Sequence, residues 1–460
     1  MGLFTPKKKR TEEVRVPEKE TACSSLSSGQ SIEGKKACLT RLDSLFNDPS
    51  SKGTVLKLYL ENFKNLNKTF GYSYCDELLA QIQSYLKELS GGNLYRYIGV
   101  EFLMILKNTS EGQASALAEQ ILERFGAVWK ISGVDCLCSV QIGICSYPGH
   151  AAQTDDLLKR LDMAVSAAAE FGPNQLAVYD NHLHSQAVRR QTIALYLQTA
   201  LEKNELEVRY RPTCRMEDGR FTRADSYMRI FIQGIGLVGA GEFLPIAEDS
   251  GQIRAIGYYA LSHAGSCIRQ LLNAGRDFES ICIPVSPVLL LQEDFLEQVS
   301  SILKEYDIPR GKLALELQDD ALSSVYLNIN ETLQELERMG VELVLNDFGS
   351  GCYPVSSLLD FPIQTVKLER MFVWQLETNP RCASIIGGLI QMAGQLGVRI
   401  IAEGAETENQ LEILNRCHCQ YQQGFYYAPT IEQDVLLKVM GSTLEESRAI
   451  IEEEKLKMKR

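Results

Sequence analysis

Between about residue 37 and residue 180 the apolar positions switch repeatedly between a period of two and a period near 3.6. VLKLYLEN (55–62) is strand-like, NKTFGYSYCDELLAQIQSYLKEL (67–89) carries apolar residues at helical spacing, and NLYRYIGVEFLMIL (93–106) reads as two strand arms about a turn at Gly99. A helix over 111–129, a strand within VDCLCSVQIGICSYP (134–148), a helix at TDDLLKRLDMAVSAAAEF (154–171) and a strand at QLAVYD (175–180) complete this stretch. Alternation with an internal hairpin predicts an α+β domain, with helices packed on a mostly antiparallel sheet.

The second half has a different rhythm. Short β-rich runs recur at ELEVRYRP (205–212), ADSYMRI (224–230), SICIPVSP (280–287), KLALELQD (312–319), VELVLNDF (341–348), TVKLE (365–369), VRIIAEGA (398–405) and CQYQQGF (419–425). Helical patterns separate most of them, among them 293–306, 329–340 and 383–397. Eight strands alternating with helices over this length is the count and size of an α/β TIM-type (β/α)8 barrel, whose sites sit at the C-terminal strand ends. Those ends are polar here: Glu316 and Asp319, Asn346 and Asp347, Lys367 and Glu369, Glu403 and Glu406, and Gln423. One carboxylate at a strand end is ordinarily a helix cap or turn former. A ring of them around one lysine is hard to account for as caps and points to a site.

Composition narrows the function classes. With a net charge of −12 the chain has no overall basic field, which argues against nucleic acid polymers as partners while leaving small phosphate ligands open. Thirteen cysteines sit singly in apolar stretches and read as buried thiols of a reducing cytoplasm. Cys417-His418-Cys419 lacks a second pair at metal-ligand spacing and reads as structural. Residues 1–34 are charged or small and read as a disordered arm whose PKKKR is a solvated patch. There is no uncharged apolar run long enough for a membrane span.

The ring residues and their flanking motifs, FLPIAEDSGQI (243–253), LALELQD (313–319), NDFGSG (346–351), VKLERMFV (366–373), IAEGAET (401–407) and QGFYYAP (423–429), resemble in order those of the EAL domain of bacterial cyclic di-GMP phosphodiesterases. The first half resembles the GGDEF diguanylate cyclase domain, a ferredoxin-like cyclase fold that often precedes it. The resemblance implies a GGDEF-like domain over 35–181, a linker helix and barrel entry over 182–204, an EAL-like barrel over 205–442 and a charged C-terminal helix over 443–460. That last segment reads as a solvated helix with i,i+4 charge pairs.

Both halves depart from the family pattern where it carries chemistry. The cyclase signature reads Ile98-Gly99-Val100-Glu101-Phe102, with isoleucine for its first glycine and valine for the metal-binding, catalytic aspartate. Tyr59 stands where the upstream metal aspartate falls, with Glu61 two residues on, and the product-inhibition motif is missing, since Asn93 and Arg96 hold its ends. Asn67 and Asp76 match guanine-contacting positions and read as retained fold positions. Synthesis of cyclic di-GMP is not expected, because Val100 offers Mg²⁺ no oxygen.

In the barrel, the resemblance implies two Mg²⁺ or Mn²⁺ ions that activate water for attack on a phosphodiester, yielding linear pGpG. Of the metal ligands, the signature glutamate maps to Asp225, the asparagine to Pro284, and the aspartate pair to Asn346-Asp347, while Glu316 is kept. Lys367 and Glu403 match the lysine and acid near the attacking water. Asp319 replaces the glutamate that steadies the following loop, which carries Tyr353 and Pro354 where the family has serines. Arg229, Gln423 and Pro429 match dinucleotide contacts, whereas Tyr210-Arg211-Pro212 and Tyr227 replace the family's YQP and signature leucine, so that Arg211 either adds a phosphate contact at the ligand site or fills the pocket. Losing one ligand, one charge and one methylene of reach removes most of the affinity for paired metals, so no tightly bound cofactor is expected. The sequence thus predicts a cyclic di-GMP receptor with a protein partner, and possible homodimer formation. The alternatives are a nucleotide-independent scaffold and a weak metal-dependent phosphodiesterase.

Overall fold

A computed structural model describes residues 32–318, 329–349 and 358–458. Asp319, the loop carrying Tyr353 and Pro354, and nearly all of the N-terminal arm lie outside the described residues. The chain divides into two compact units between Ala187 and Val188.

In the first unit the described strands are β1 (Glu33–Gly34), β2 (Gly53–Leu60), β3 (Leu94–Arg96), β4 (Glu101–Lys107), a small hairpin of β5 (Trp129–Ile131) and β6 (Val134–Cys136), β7 (Val140–Tyr147) and β8 (Gln175–Val178). They form a sheet of order β1-β3-β4-β2-β7-β8 beside the separate β5-β6 hairpin, with antiparallel pairing at its centre. The period of two along β2 explains the layering. Leu56, Leu58 and Leu60 pack into one apolar cluster with the helices Tyr72–Leu89 and Glu111–Phe125, while Val55 joins the cluster of Lys35–Phe46 and Thr154–Ala169 on the other face. Lys57 points to that second face and is held by Glu101 at 2.9 Å and Asp162 at 2.5 Å.

Two expectations are corrected here. The helix expected over 67–89 is two helices, Phe63–Phe70 and Tyr72–Leu89, parted by Gly71 at φ +83°, a backbone that glycine adopts without strain. The helix expected over 111–129 ends at Phe125, because Trp129 is taken into the β5-β6 hairpin.

The second unit is built on β9 (Leu206–Arg215), β10 (Arg220–Ile232), β11 (Gly236–Gly239), β12 (Ser280–Val285), β13 (Leu313–Leu317), β14 (Glu342–Phe348), β15 (Thr365–Leu368), β16 (Arg399–Glu403) and β17 (Tyr421–Gln423). Adjacent pairs from β10 through β12 to β17 are parallel, and β9 closes the barrel by pairing antiparallel with both β10 and β17. All eight expected strands are present. The reversed direction of β9, joined to β10 by a hairpin at Asp218-Gly219, is the departure from simple alternation.

Alternate residues of each strand face outward into one large core: Ile281, Ile283 and Val285 on β12, Leu313, Leu315 and Leu317 on β13, Leu343 and Leu345 on β14. The inward set begins at the N-terminal end with charges. Glu342, 6 % exposed, accepts from Arg223 and Arg399, each at 2.7 Å, and from the Thr365 hydroxyl at 2.6 Å. Above it Cys282, Ala314 and Val344 form a small apolar layer. The helix Leu444–Met458 is more than a solvated arm: Ile451 is buried and joins the barrel's core, while Lys457 pairs with the exposed Glu453 and the buried Glu454.

Burial alone would raise the Glu342 pKa, but the two guanidiniums and the Thr365 hydroxyl reverse this and hold it below the ordinary value of 4.5. A depressed carboxyl pKa contributes stability that is present above the unfolded value and lost as pH falls through the folded one. Glu342→Gln is therefore expected to destabilise the protein by about 2–4 kcal/mol at neutral pH, because the buried Arg223 loses its nearer carboxylate and the half-buried Arg399 loses its partner. Urea unfolding at pH 7 and pH 4 checks this, and the gap between variant and wild type should narrow at the lower pH.

Candidate functional site

At the C-terminal end of the barrel four side chains from four strands meet. Lys367, on β15, is fully buried. Its Nζ lies 2.7 Å from Asp225 Oδ2 on β10, donates to Glu316 Oε2 on β13, and stands 3.6 Å from Glu403 Oε1 on β16. Burial by itself would lower the lysine pKa, but the surrounding carboxylates of Asp225, Glu316 and Glu403 hold it well above the ordinary value. The acids respond oppositely. Burial raises Glu316 to about 7 in spite of Lys367, and burial also raises Glu403. The cluster is thus one cation shared by three acids, two of which burial pushes upward.

The expected ligand-binding residues are placed unevenly around this cluster. Gln423, on β17, is fully buried, and its Nε2 donates to Asp225 Oδ2 at 2.6 Å and Thr213 Oγ1 at 2.8 Å. The guanidinium of Arg229 is held by Glu207 through two hydrogen bonds, Nε at 2.6 Å and Nη2 at 2.9 Å, so it is not open as expected. Glu207 also accepts from Arg209, which reaches on to Glu432. Arg211 and Pro429 line a cavity of about 160 Å³ at the mouth, together with Glu403, Arg370, Trp374 and Phe425. That rim depends on Gly424, where a Cβ would fall 2.2 Å from the Ala405 carbonyl oxygen.

Asn346 and Asp347 sit where the β14–β15 register shifts, with Asp347 at φ +50°. A bulge of this kind re-aims side chains at a strand end. The Asn346 amide nitrogen turns to Asp347 Oδ2 at 3.3 Å, and among the described residues Asn346 Oδ1 is buried without a partner, as is Gln423 Oε1.

These residues do not fit a pair of hard metal ions. Pro284 has no side-chain donor atom, and Asp225 and Glu316 are both engaged by Lys367. Among the described residues the group of close donors is Asp225, Glu316 and Cys282, one of them a buried thiol that burial pushes well above its usual pKa. Asp347 and Glu403 add carboxylates to the two engaged by Lys367, but with no side-chain donor at Pro284 and a neutral amide at Asn346 the set falls short of the oxygen shell that Mg²⁺ pairs need.

In the first unit, Ile98 and Tyr59 are exposed, Val100 packs at the edge of the core and Phe102 is fully buried. Glu101 is engaged by Lys57, and Glu61 accepts from Gln141 at 2.9 Å. Gly99, at φ +55°, keeps the hairpin turn. Asn67 lies on the helix Phe63–Phe70 and Asp76 on Tyr72–Leu89.

The Lys367 cluster and the Glu342 network are two charged layers at opposite ends of one barrel. Sequence reading found the first from its strand-end carboxylates. It missed the second, since Arg223, Glu342 and Arg399 stand near strand starts where charges are commonplace. The Glu207–Arg229 pair was also missed, although a partial signal existed. The Asp218-Gly219 turn by itself sets Glu207 opposite Met228, and the bulge between Phe221 and Arg223 shifts the register by one to bring Arg229 opposite Glu207.

A barrel closed by one reversed strand, with this mouth, defines the class, and comparison with known families agrees. The family model for the EAL domain matches residues 195–430, over half of the chain, and that for the "Diguanylate cyclase, GGDEF domain" matches residues 32–175. The chain belongs to the EAL-domain family, in tandem with a GGDEF domain. It is 29 % identical over 381 residues to the signaling protein YkoW of Bacillus subtilis, covering 82 % of this chain and 48 % of that one. It is 27 % identical over 390 residues to the bifunctional diguanylate cyclase/cyclic di-GMP phosphodiesterase MucR of Pseudomonas aeruginosa, covering 83 % and 56 %. The chain thus spans about half the length of these relatives. Among solved structures, the MucR phosphodiesterase in complex with cyclic di-GMP superposes with a TM-score of 0.51 at 28 % identity, over 53 % of this chain and 99 % of that one. No helix among the described residues is long and apolar enough to cross a membrane.

Proposed function

We propose that this chain is a receptor in cyclic di-GMP signalling, which binds the dinucleotide at the barrel mouth without a metal ion, leaves it intact, and alters the affinity of a protein partner. The observation that carries this reading is Lys367. Its ammonium sits among Asp225, Glu316 and Glu403, so the positive charge that the acid cluster requires is already built into the chain. The lost donors at Pro284 and Asn346 support the absence of cleavage, and the free thiols among the described residues support a reducing cytoplasm.

A second reading, a nucleotide-independent scaffold, is favoured by one observation. Arg229 is engaged by Glu207, so part of the mouth is already filled by the chain's own groups. Occupancy by ligand acts on a partner only through differential affinity for two states of the barrel, so binding is the first thing to establish. Equilibrium dialysis of radiolabelled cyclic di-GMP against the purified chain in EDTA separates the readings. Label retained and recovered as intact dinucleotide supports the receptor. No retention at high micromolar ligand discards it for the scaffold.

A further inference from the structure

Four cations approach the mouth, and they differ in what already engages them. Lys367 is committed to three carboxylates, and Arg229 is bound through two N–H groups by Glu207. Arg211 has no carboxylate within ion-pair distance among the described residues. Its guanidinium lies 4.7 Å from the centroid of the Tyr227 ring, half-buried and facing the 160 Å³ cavity. Arg370 lines the same cavity, is exposed, and rests on Trp374 at 5.6 Å.

A guanidinium held over an aromatic face by a cation–π contact leaves its N–H donors available to a bidentate anion. Register pairs Arg211 on β9 with Asp225 on β10, so this fork stands where the mouth cavity meets the acid cluster. It is close enough to Glu403 for its charge to oppose the burial-driven rise of that carboxyl. An arginine at this position brings to the mouth a fixed positive charge that needs no metal.

We infer that Arg211, assisted by Arg370, is the anchor for a phosphodiester anion at this mouth, and that Arg229 is held back by Glu207. The inference rests on the receptor reading and names the residue through which that site takes its anion. The cavity is smaller than the usual 300–1,000 Å³ of a whole-ligand pocket, so it takes one phosphodiester portion of the dinucleotide rather than all of it.

The test is titration of cyclic di-GMP into wild type, Arg211→Gln, Arg211→Lys and Arg229→Ala, all in EDTA, at two salt concentrations, with thermal melts of each. Arg211→Gln is expected to weaken binding about tenfold to a hundredfold, the usual range for a hydrogen-bonded charge, and to flatten the salt dependence. Arg211→Lys, which keeps the charge and loses the fork, falls between. Arg229→Ala should cost no more than about threefold, because its guanidinium starts engaged. Wild-type affinity in both Arg211 variants, with a large loss in Arg229→Ala, overturns the inference and leaves the receptor standing. A melt shift in Arg211→Gln with unchanged affinity assigns the residue a purely structural role and equally overturns it. Absence of wild-type binding removes the receptor reading itself.

Discussion

Lys367→Met is expected to destabilise the protein by about 3–5 kcal/mol at pH 8, the cost of leaving buried charges without their partner. The side chain is fully buried and is the ion-pair partner of Asp225, Glu316 and Glu403 alike, so its removal leaves three acids facing one another. The pH dependence should run opposite to that at Glu342. Glu316 is raised from 4.5 to about 7, chiefly by burial. A raised carboxyl pKa contributes stability that is full below the unfolded value and lost as pH rises through the folded one. In the variant the opposing ammonium is gone, so that loss moves to higher pH and the deficit at pH 8 shrinks markedly by pH 5. Urea unfolding of both proteins from pH 5 to 8 reads this directly. Equal stability at pH 8 would mean that the acids are not held by Lys367 in the folded chain.

Hydrolysis of cyclic di-GMP, with Mg²⁺ or Mn²⁺ supplied in excess, is expected to fall below that of an intact family member on the order of a thousandfold or more. Partners one step removed from a metal are worth about 10–100-fold each, and here groups of the metal shell itself are changed. Pro284 gives no ligand, Asn346 gives a neutral amide whose nitrogen is turned to Asp347, and Asp225 is bound by both Lys367 and Gln423. Chromatography of the reaction for pGpG checks it. Turnover that disappears in Glu316→Ala would show a live metal site and refute the proposed division between binding and cleavage.

The strands of both units were legible because β-rich runs bounded by turns leave a strong pattern, and the eight barrel runs reappear as β9, β10 and β12 to β17. Apolar alternation carries no direction, which is why the reversal of β9 was invisible to it. Local backbone exceptions were underweighted too, as at Gly71 and at the strand beginning with Trp129. At the site, residue types were readable and their partners were not. Lys367, Glu316 and Glu403 were recognisable from strand ends, but the engagement of Arg229 by Glu207 depends on cross-strand register. Arg211 was noticed as a departure from its family, and only its place over the Tyr227 ring, without a carboxylate, gives that departure a chemical meaning.

The central claim is binding that does not depend on metal. It is tested most directly by calorimetry of the purified chain with cyclic di-GMP, once in EDTA and once in excess Mg²⁺. The account predicts saturable binding with the same affinity, to within about threefold, in both buffers. Binding that appears only with Mg²⁺ and vanishes in EDTA would contradict it.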